Sequence, residues 1–378
     1  MKLELTPQQK QQKETFRVFV DQEISPYADQ YEQEERVPPE TIKKLADQGY
    51  LGALIPEENG GLGLEMITYG LLCEEVGRGS ASLLSLLTVQ GMVAQAILKW
   101  GSSAQKTYWL PKLAAGEIIG AFGLTEPDVG SDAKNVQSTA TVSTDGYRLN
   151  GRKKWISFGQ IADVFLIIAQ CDGQPAAFLV ERRRVGFSTH PITGMLGFRA
   201  AMLAEVHLQD CYVPAENLVG RVGFGFSHVA GTALDYGRYC VGWGCVGLAQ
   251  ACLEACLDYT RKRKQFGTYL KEHQLIQQMI AEMIANIRAA RLLCYQAGYL
   301  KAIGDPNSIM ETSIAKYFAS KMAYQAAGDA VQIHGANGCS SEYPVQRYLR
   351  DAKIMEIIEG STQMQQMLIA SYGYQHIF

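Results

Sequence analysis

Glu359 is the residue of this chain best placed for acid–base chemistry. It follows the apolar segment Ile354-Met355-Glu356-Ile357-Ile358 and stands directly before Gly360-Ser361-Thr362-Gln363. A carboxylate set there lies at the end of an element, where burial can move its ionisation and Gly360 lets a ligand approach closely. Free glutamate, with a pKa of about 4.3, is too weak a base at neutral pH. Burial beside Ile357 and Ile358 is expected to raise that value toward the range a general base needs. Glu356, one turn earlier, is a rival, but Lys353 beside it predicts a surface ion pair instead.

A second candidate site is Phe122-Gly123-Leu124-Thr125-Glu126-Pro127-Asp128-Val129-Gly130-Ser131-Asp132. Thr125, Gly130 and Ser131 offer a hydroxyl, an uncluttered backbone amide and a second hydroxyl. Such donors suit a polar ring edge or a pyrophosphate, and they equally suit a capped turn. No strand, G-x-G-x-x-G turn and helix occur in that order, and there is no Walker loop, so Rossmann-type dinucleotide binding is not supported. The glycines of 60–63 and 223–225 read as loops that need positive φ.

The elements that must position these residues fall into three stretches. At 378 residues the chain exceeds one simple core, and a prior of roughly 100–200 residues per domain suggests two or three domains. Residues 1–115 are read as a helical domain, with Thr6, Pro7 and Gln9 as N-cap, first-turn proline and capping-box partner. Pro38-Pro39-Glu40 opens a second helix. Residues 116–228 are read as a small antiparallel β-domain, because Asp145-Gly146 and Asp172-Gly173 each join two apolar runs as hairpin turns. Residues 229–378 are read as a helical bundle with long amphipathic stretches over 229–262, 273–303 and 308–334, and a shorter one from Ser361.

The formal charge of −3, with both signs mixed along the chain, gives no field suited to nucleic acid or an anionic membrane. Arg182-Arg183-Arg184 is the one basic cluster, read as a solvated turn or as a dock for an acidic partner. Nine cysteines occur without a Cys-x-x-Cys pair, so neither a zinc site nor a disulfide framework is expected. No apolar run is read as approaching the ~20 residues of a membrane span, and Met1-Lys2-Leu3-Glu4-Leu5 begins no signal peptide. A cytoplasmic location is expected.

The loop at 122–132, Trp155-Ile156-Ser157, Arg263-Lys264-Gln265-Phe266-Gly267, Gln332-Ile333-His334-Gly335-Ala336-Asn337-Gly338 and Glu359-Gly360-Ser361 occur in one order. Together they resemble the acyl-CoA dehydrogenase family of flavoproteins over essentially the whole chain. The resemblance implies a mostly α fold with a central β-domain and a C-terminal four-helix bundle, FAD as cofactor, and a homotetramer. It assigns Phe122, Leu124, Thr125, Gly130, Ser131, Trp155 and Ser157 to the flavin side of one subunit. Arg263, Phe266, Gln274, Gln332 and Ala336 approach from the neighbouring subunit by the same implication, while Ser361 and Gln363 close over the cofactor. Arg263 would pair with the pyrophosphate, and Ser157 replaces a threonine common in the family.

Glu359 matches the base of the family's main branch, which removes the α-proton of a thioester as hydride leaves Cβ. A second branch carries its base just before an arginine on an earlier helix. Here that place is Gly237, before Arg238, so the alternative base is absent and the gap is expected to widen the substrate cavity. Tyr236-Gly237-Arg238 followed by Gly242-Trp243-Gly244-Cys245-Val246-Gly247, with Met355 to Ser361, looks more like the acyl-carrier-protein dehydrogenases of polyketide and nonribosomal peptide assembly, which serve the making of hydroxymalonyl, methoxymalonyl or aminomalonyl units, than like fatty-acid enzymes. Tyr236 and Arg238 are then expected near a substrate hydroxyl or carboxylate. An ordinary short- or branched-chain acyl-CoA dehydrogenase passing electrons to an electron-transfer flavoprotein, an oxidase using O2, and an inert FAD scaffold stand as alternatives.

Overall fold

The computed structural model describes residues 4–376, so Met1 to Leu3 of the stretch read as lacking a signal peptide lie outside it. Six helices come first: α1 (Pro7–Glu23), α2 (Ala28–Glu34), α3 (Pro39–Asp47), α4 (Met66–Gly79), α5 (Ala81–Trp100) and α6 (Ser103–Ala114). The Thr6–Gln9 capping box forms as expected, and Ser102 with Gln105 repeats it at α6. Each box satisfies two backbone donors that the first helical turn leaves free.

The middle stretch holds β1 (Gly120–Gly123), β2 (Thr139–Ser143), β3 (Gly146–Ile156), β4 (Val164–Cys171), β5 (Gln174–Glu181), β6 (Phe187–Pro191), β7 (Ala204–Pro214) and β8 (Leu218–Val219). Both Asp-Gly turns close antiparallel hairpins, β2 with β3 and β4 with β5. The sheet order is β6-β7-β3-β2-β4-β5-β8, with β1 beside β4. Contrary to the expectation of an antiparallel domain, this sheet is mixed: β1 and β2 both run parallel to β4. Turn residues report only the hairpin they close, and these pairings join strands separated by a long connection.

The last stretch opens with a π-helical turn at Gly225–Ala230 and continues as α7 (Gly231–Lys262), a short hairpin of β9 (Lys264–Gln265) and β10 (Thr268–Tyr269), α8 (Gln274–Ala302), α9 (Ser308–His334), α10 (Val345–Ile357) and α11 (Thr362–His376). The three long helices start and stop within a few residues of the expected stretches, and α10 is a further helix beyond them. Two helices, Ala81–Trp100 and Gly225–Lys262, are long and apolar enough to cross a membrane, against the expectation that no such run exists. Their apolar windows are 89% and 78% buried inside the protein, so core packing accounts for them.

On one face of the sheet, Val93, Ile97, Leu110 and Leu113 of α5 and α6 pack against Val164, Leu166, Ile168 and Leu179. That seats β4 and β5 between layers, and both strands are buried along most of their length. The domains also share a polar joint. Asp351 of α10 accepts the Phe198 N–H at 2.8 Å, while Glu32 of α2 accepts from Arg199 N–H at 2.8 Å and Ala200 N–H at 3.2 Å. Burial, with Glu32 adding to it, pushes the Asp351 carboxyl far above the usual carboxylate range.

Arg182 to Arg184 form the turn expected after a strand, following β5, but they are not all solvated. Arg182 turns inward and donates to the carbonyls of Ala162 and Gly159, both at 2.5 Å, and to Thr189 Oγ1 at 2.9 Å. Arg184 pairs with Glu181, leaving Arg183 as the exposed member. The eight cysteines other than Cys339 are buried and unpaired, in keeping with small core residues.

Helices α4 and α7 approach closely through glycines. A Cβ at Gly247 would overlap the Glu74 carbonyl, and one at Gly77 would meet the Gly244 Cα at 2.6 Å. Since backbone cannot yield as a flexible side chain does, Gly247→Ala is expected to cost about 1–3 kcal/mol through overpacking. Thermal unfolding of the variant beside wild type measures this as a lowered midpoint.

Candidate active site

α10 ends at Ile357, and the chain then reverses. Ile358 is extended, Glu359 has φ of 55° and Gly360 a φ of 94°. A left-handed glutamate is uncommon and needs outside support. Three side chains give it: Arg238 Nε donates to the Glu359 carbonyl at 3.0 Å, Gln365 Nε2 to the Glu359 and Gly360 carbonyls at 3.2 and 3.3 Å, and Lys316 Nζ to the Gly360 carbonyl at 2.9 Å. A Cβ at Gly360 would stand 2.7 Å from Gln365 Nε2 and displace that donor, and the positive φ is what requires glycine there.

These donors hold the backbone of the turn and leave the carboxylate to itself. Glu359 is half-buried as a residue, yet its Oε2 is sealed from solvent and has no hydrogen-bond partner. Burial pushes its carboxyl up to about 7, against the opposing pull of the Arg238 and Lys316 charges. An acid poised there can take and return a proton at neutral pH. Ile357 is not the cause: it is 54% exposed, because the reversal after α10 leaves it on the outer side of the last turn.

The wall facing the carboxylate comes from α7 and α5. A Cβ at Gly237 would lie 2.5 Å from Glu359 Oε2 and 3.0 Å from Met92 Sδ. The gap at Gly237 therefore houses the base itself, correcting the expectation that it widens the substrate cavity. Arg238 has its Nε committed to the Glu359 carbonyl rather than presented to a substrate. Tyr236 is half-buried, with Lys301 Nζ 5.2 Å from its ring centroid and Lys301 in turn paired with Asp235. Glu356 pairs with Lys353 at 2.8 Å, as expected.

The loop after β1 is held by a buried ion pair that sequence reasoning missed. Lys153 on β3 is 0% exposed and meets Glu126 Oε1 at 2.6 Å, while Glu126 also accepts from Gln137 N–H at 2.6 Å and Ser138 N–H at 2.9 Å. The Lys154 N–H then donates to the Thr125 carbonyl at 2.8 Å, tying the loop to the strand that carries Trp155. That residue has φ of 62° and is 46% exposed, an uncommon setting for an indole. Leu124 is buried, Phe122, Thr125 and Ser157 half-buried, and Gly130 and Ser131 exposed, with nothing within 4 Å of a Cβ at Gly130. An open backbone amide, three hydroxyls and a presented aromatic face suit a flavin.

Arg263, Phe266, Gln274, Gln332 and Ala336 are all exposed in the single protomer, Phe266 to 96%. They cluster at one end of the bundle: Tyr259, near the end of α7, stacks on His334 at 4.2 Å, and His273 before α8 meets Thr268 Oγ1 at 3.1 Å. Ser361 Oγ accepts from the Met364 N–H at 3.4 Å at the start of α11, and Gln363 is exposed. Lys316, Gln365 and Met92 were missed. The signal for Lys316 was a lone lysine after the uncharged run Ser313-Ile314-Ala315, and α9 buries that lysine completely.

A left-handed turn presenting a sealed carboxylate within a helix–sheet–helix frame makes a site where an acid can take and return a proton out of water. Family models for the acyl-CoA dehydrogenase N-terminal, middle and C-terminal domains match residues 6–117, 121–211 and 223–373. A glutaryl-CoA dehydrogenase of Desulfococcus multivorans is 39% identical over 364 residues, covering 94% of this chain and 93% of that protein. Butyryl-CoA dehydrogenase from Megasphaera elsdenii superposes with a TM-score of 0.94 at 35% identity, covering 98% of this chain and 99% of that one. A prolyl acyl carrier protein oxidase superposes at 0.92 with 28% identity, over 98% and 99% of the two chains. The chain belongs to the acyl-CoA dehydrogenase family. It is an FAD-dependent oxidoreductase acting on acyl thioesters.

Because Gly237 leaves the space that the carboxylate fills, Gly237→Ala is expected to displace Glu359 and lower kcat at least about tenfold. Flavin content and unfolding midpoint, measured on the same preparation, should stay close to wild type.

Proposed function

We propose that this chain oxidises a short acyl thioester between Cα and Cβ, with Glu359 as the base that takes the α-proton. The observation that carries this reading is the Glu359 Oε2, sealed and unpartnered against Gly237 while the backbone behind it is fixed by three donors. A carboxylate without hydrogen bonds has no competing partner for the substrate proton, and once protonated it is neutral in a dry site. Bound FAD supplies the hydride acceptor.

Phe122, Leu124, Thr125, Gly130, Ser131, Trp155 and Ser157 hold the cofactor from one subunit in this reading. Arg263, Phe266, Gln274, Gln332 and Ala336 complete the site of a neighbouring copy within a homotetramer, which gives the exposed Phe266 a partner. Ser361 fixes the start of α11 beneath the turn, and Gln363 stands at the outer edge of it. Electrons then pass to an electron-transfer flavoprotein.

For the acyl carrier, coenzyme A is the first reading, supported by the 39% identity to a CoA-thioester dehydrogenase. A carrier protein of polyketide or nonribosomal peptide assembly is the second, supported by the likeness to a carrier-protein oxidase. With Arg182 turned inward, a basic dock no longer adds to it. Turnover of one butyryl group on coenzyme A and on carrier protein separates the two, and peroxide release identifies O2 as acceptor.

Glu359→Gln is expected to slow anaerobic bleaching of the flavin by butyryl-CoA at least about 100-fold. Wild-type bleaching in that variant would remove Glu359 from the mechanism. The base works only when ionised, so activity is present above its folded value of about 7 and lost as pH falls through it. A profile of kcat/KM against pH should therefore fall about tenfold per unit on the acid side.

A further inference from the structure

Lys316 transfers no proton in the chemistry above, yet it is 0% exposed in the first half of α9 and its ammonium meets a backbone carbonyl rather than a carboxylate. An ammonium in that setting is costly to bury, and a neutral side chain of similar length would pack without the cost. Its hydrogen bond goes to the Gly360 carbonyl, directly behind the base, and the Glu359 carboxylate carries no direct hydrogen bond to either nearby cation. The charge therefore acts on the carboxylate through space and through the turn.

We propose that Lys316 is a positioning residue for the base: it pins the Gly360 carbonyl so that Glu359 keeps its left-handed conformation, and its positive field favours the ionised carboxylate. This rests on the reading of Glu359 as base. The groups facing the pair are Arg238, Cys240 and Cys245 of α7, Glu356 of α10, and Cys294 of α8 beyond Cys245. Cys245, whose thiol burial pushes up to about 12, stays neutral, and Glu356 is engaged by Lys353. Arg238 is thus the second cation acting on Glu359, and it holds the other carbonyl of the turn. Burial lowers Lys316 to about 8, above the value of about 7 for Glu359, so it is mostly charged at the midpoint where Glu359 ionises.

The test uses the flavin-loaded full chain with Lys316→Gln, which keeps a donor and removes the charge, Lys316→Met, which removes both, and Lys316→Arg, which keeps the charge. Infrared pH titration follows the Glu359 carboxyl, assigned as the band missing from Glu359→Gln, and needs no turnover. The midpoint is expected to rise by about one pH unit in the Gln and Met variants and to hold in the Arg variant. The acid limb of kcat/KM for butyryl-CoA should move with it, and kcat should fall further in Met than in Gln while KM holds. An unmoved midpoint in the Gln variant overturns the proposal, since a purely structural lysine would lower only stability and flavin content. Should Glu359→Gln turn over butyryl-CoA normally, the base assignment fails and the catalytic role of Lys316 falls with it, while the infrared midpoint separately reports whether Lys316 acts on the Glu359 carboxylate.

Discussion

The rest of the site depends on where positive charge and hydrogen-bond donors are spent around Glu359. Arg238, Gln365 and Lys316 give their donors to the two carbonyls of the turn, and the carboxylate they surround receives none. A direct salt bridge would hold the acid ionised and make it a poor base. Donors placed one peptide unit away fix the geometry and temper the effect of burial without consuming the proton acceptor. The left-handed backbone at residues 359 and 360 makes that division possible, because it turns the carbonyls toward α7 and α9 while the side chain points at Gly237.

The same economy of space explains the helical frame. α7 must lie close to α4 and α5 for Gly237 to face the carboxylate, and glycines at 244 and 247 allow the approach. α10 must be fixed against the middle domain for the turn to stand still, and Asp351 does this through the Phe198 N–H. The mixed sheet contributes at the other side, where Lys153 and Glu126 lock the loop that carries Thr125. Burying that pair is expensive unless further hydrogen bonds satisfy it, and two backbone donors to Glu126 supply them.

Much of this was legible in the sequence where the signal is local. Thr6 with Gln9, the two Asp-Gly turns and the periodicity of the long helices each report on a few neighbouring residues, and each element formed. Glu359 before Gly360 stood out for the same reason. What escaped depends on pairing across the chain: β1 beside β4, Lys153 with Glu126, and Lys316 with a carbonyl 44 residues later. Charged residues at buried positions look like surface residues in a sequence, and Arg182 shows it, since three arginines in a row read as a patch while one of them was fastening a loop. Ile357 erred the other way, apolar in type and outward by turn geometry.

The joint at Asp351 has a bearing on how alkalinity treats the molecule. Its carboxyl is held protonated by burial, so its share of stability is complete below the ordinary carboxylate range and drains away as pH climbs toward its raised folded value. Raising the pH through neutrality thus arms the base while the cost of an ionised, buried Asp351 takes stability from the fold around it. Activation and anchoring pull in opposite directions along one axis, and the two carboxylates, eight positions apart on the same strand of chain, bracket the acidity at which the molecule is both switched on and held together.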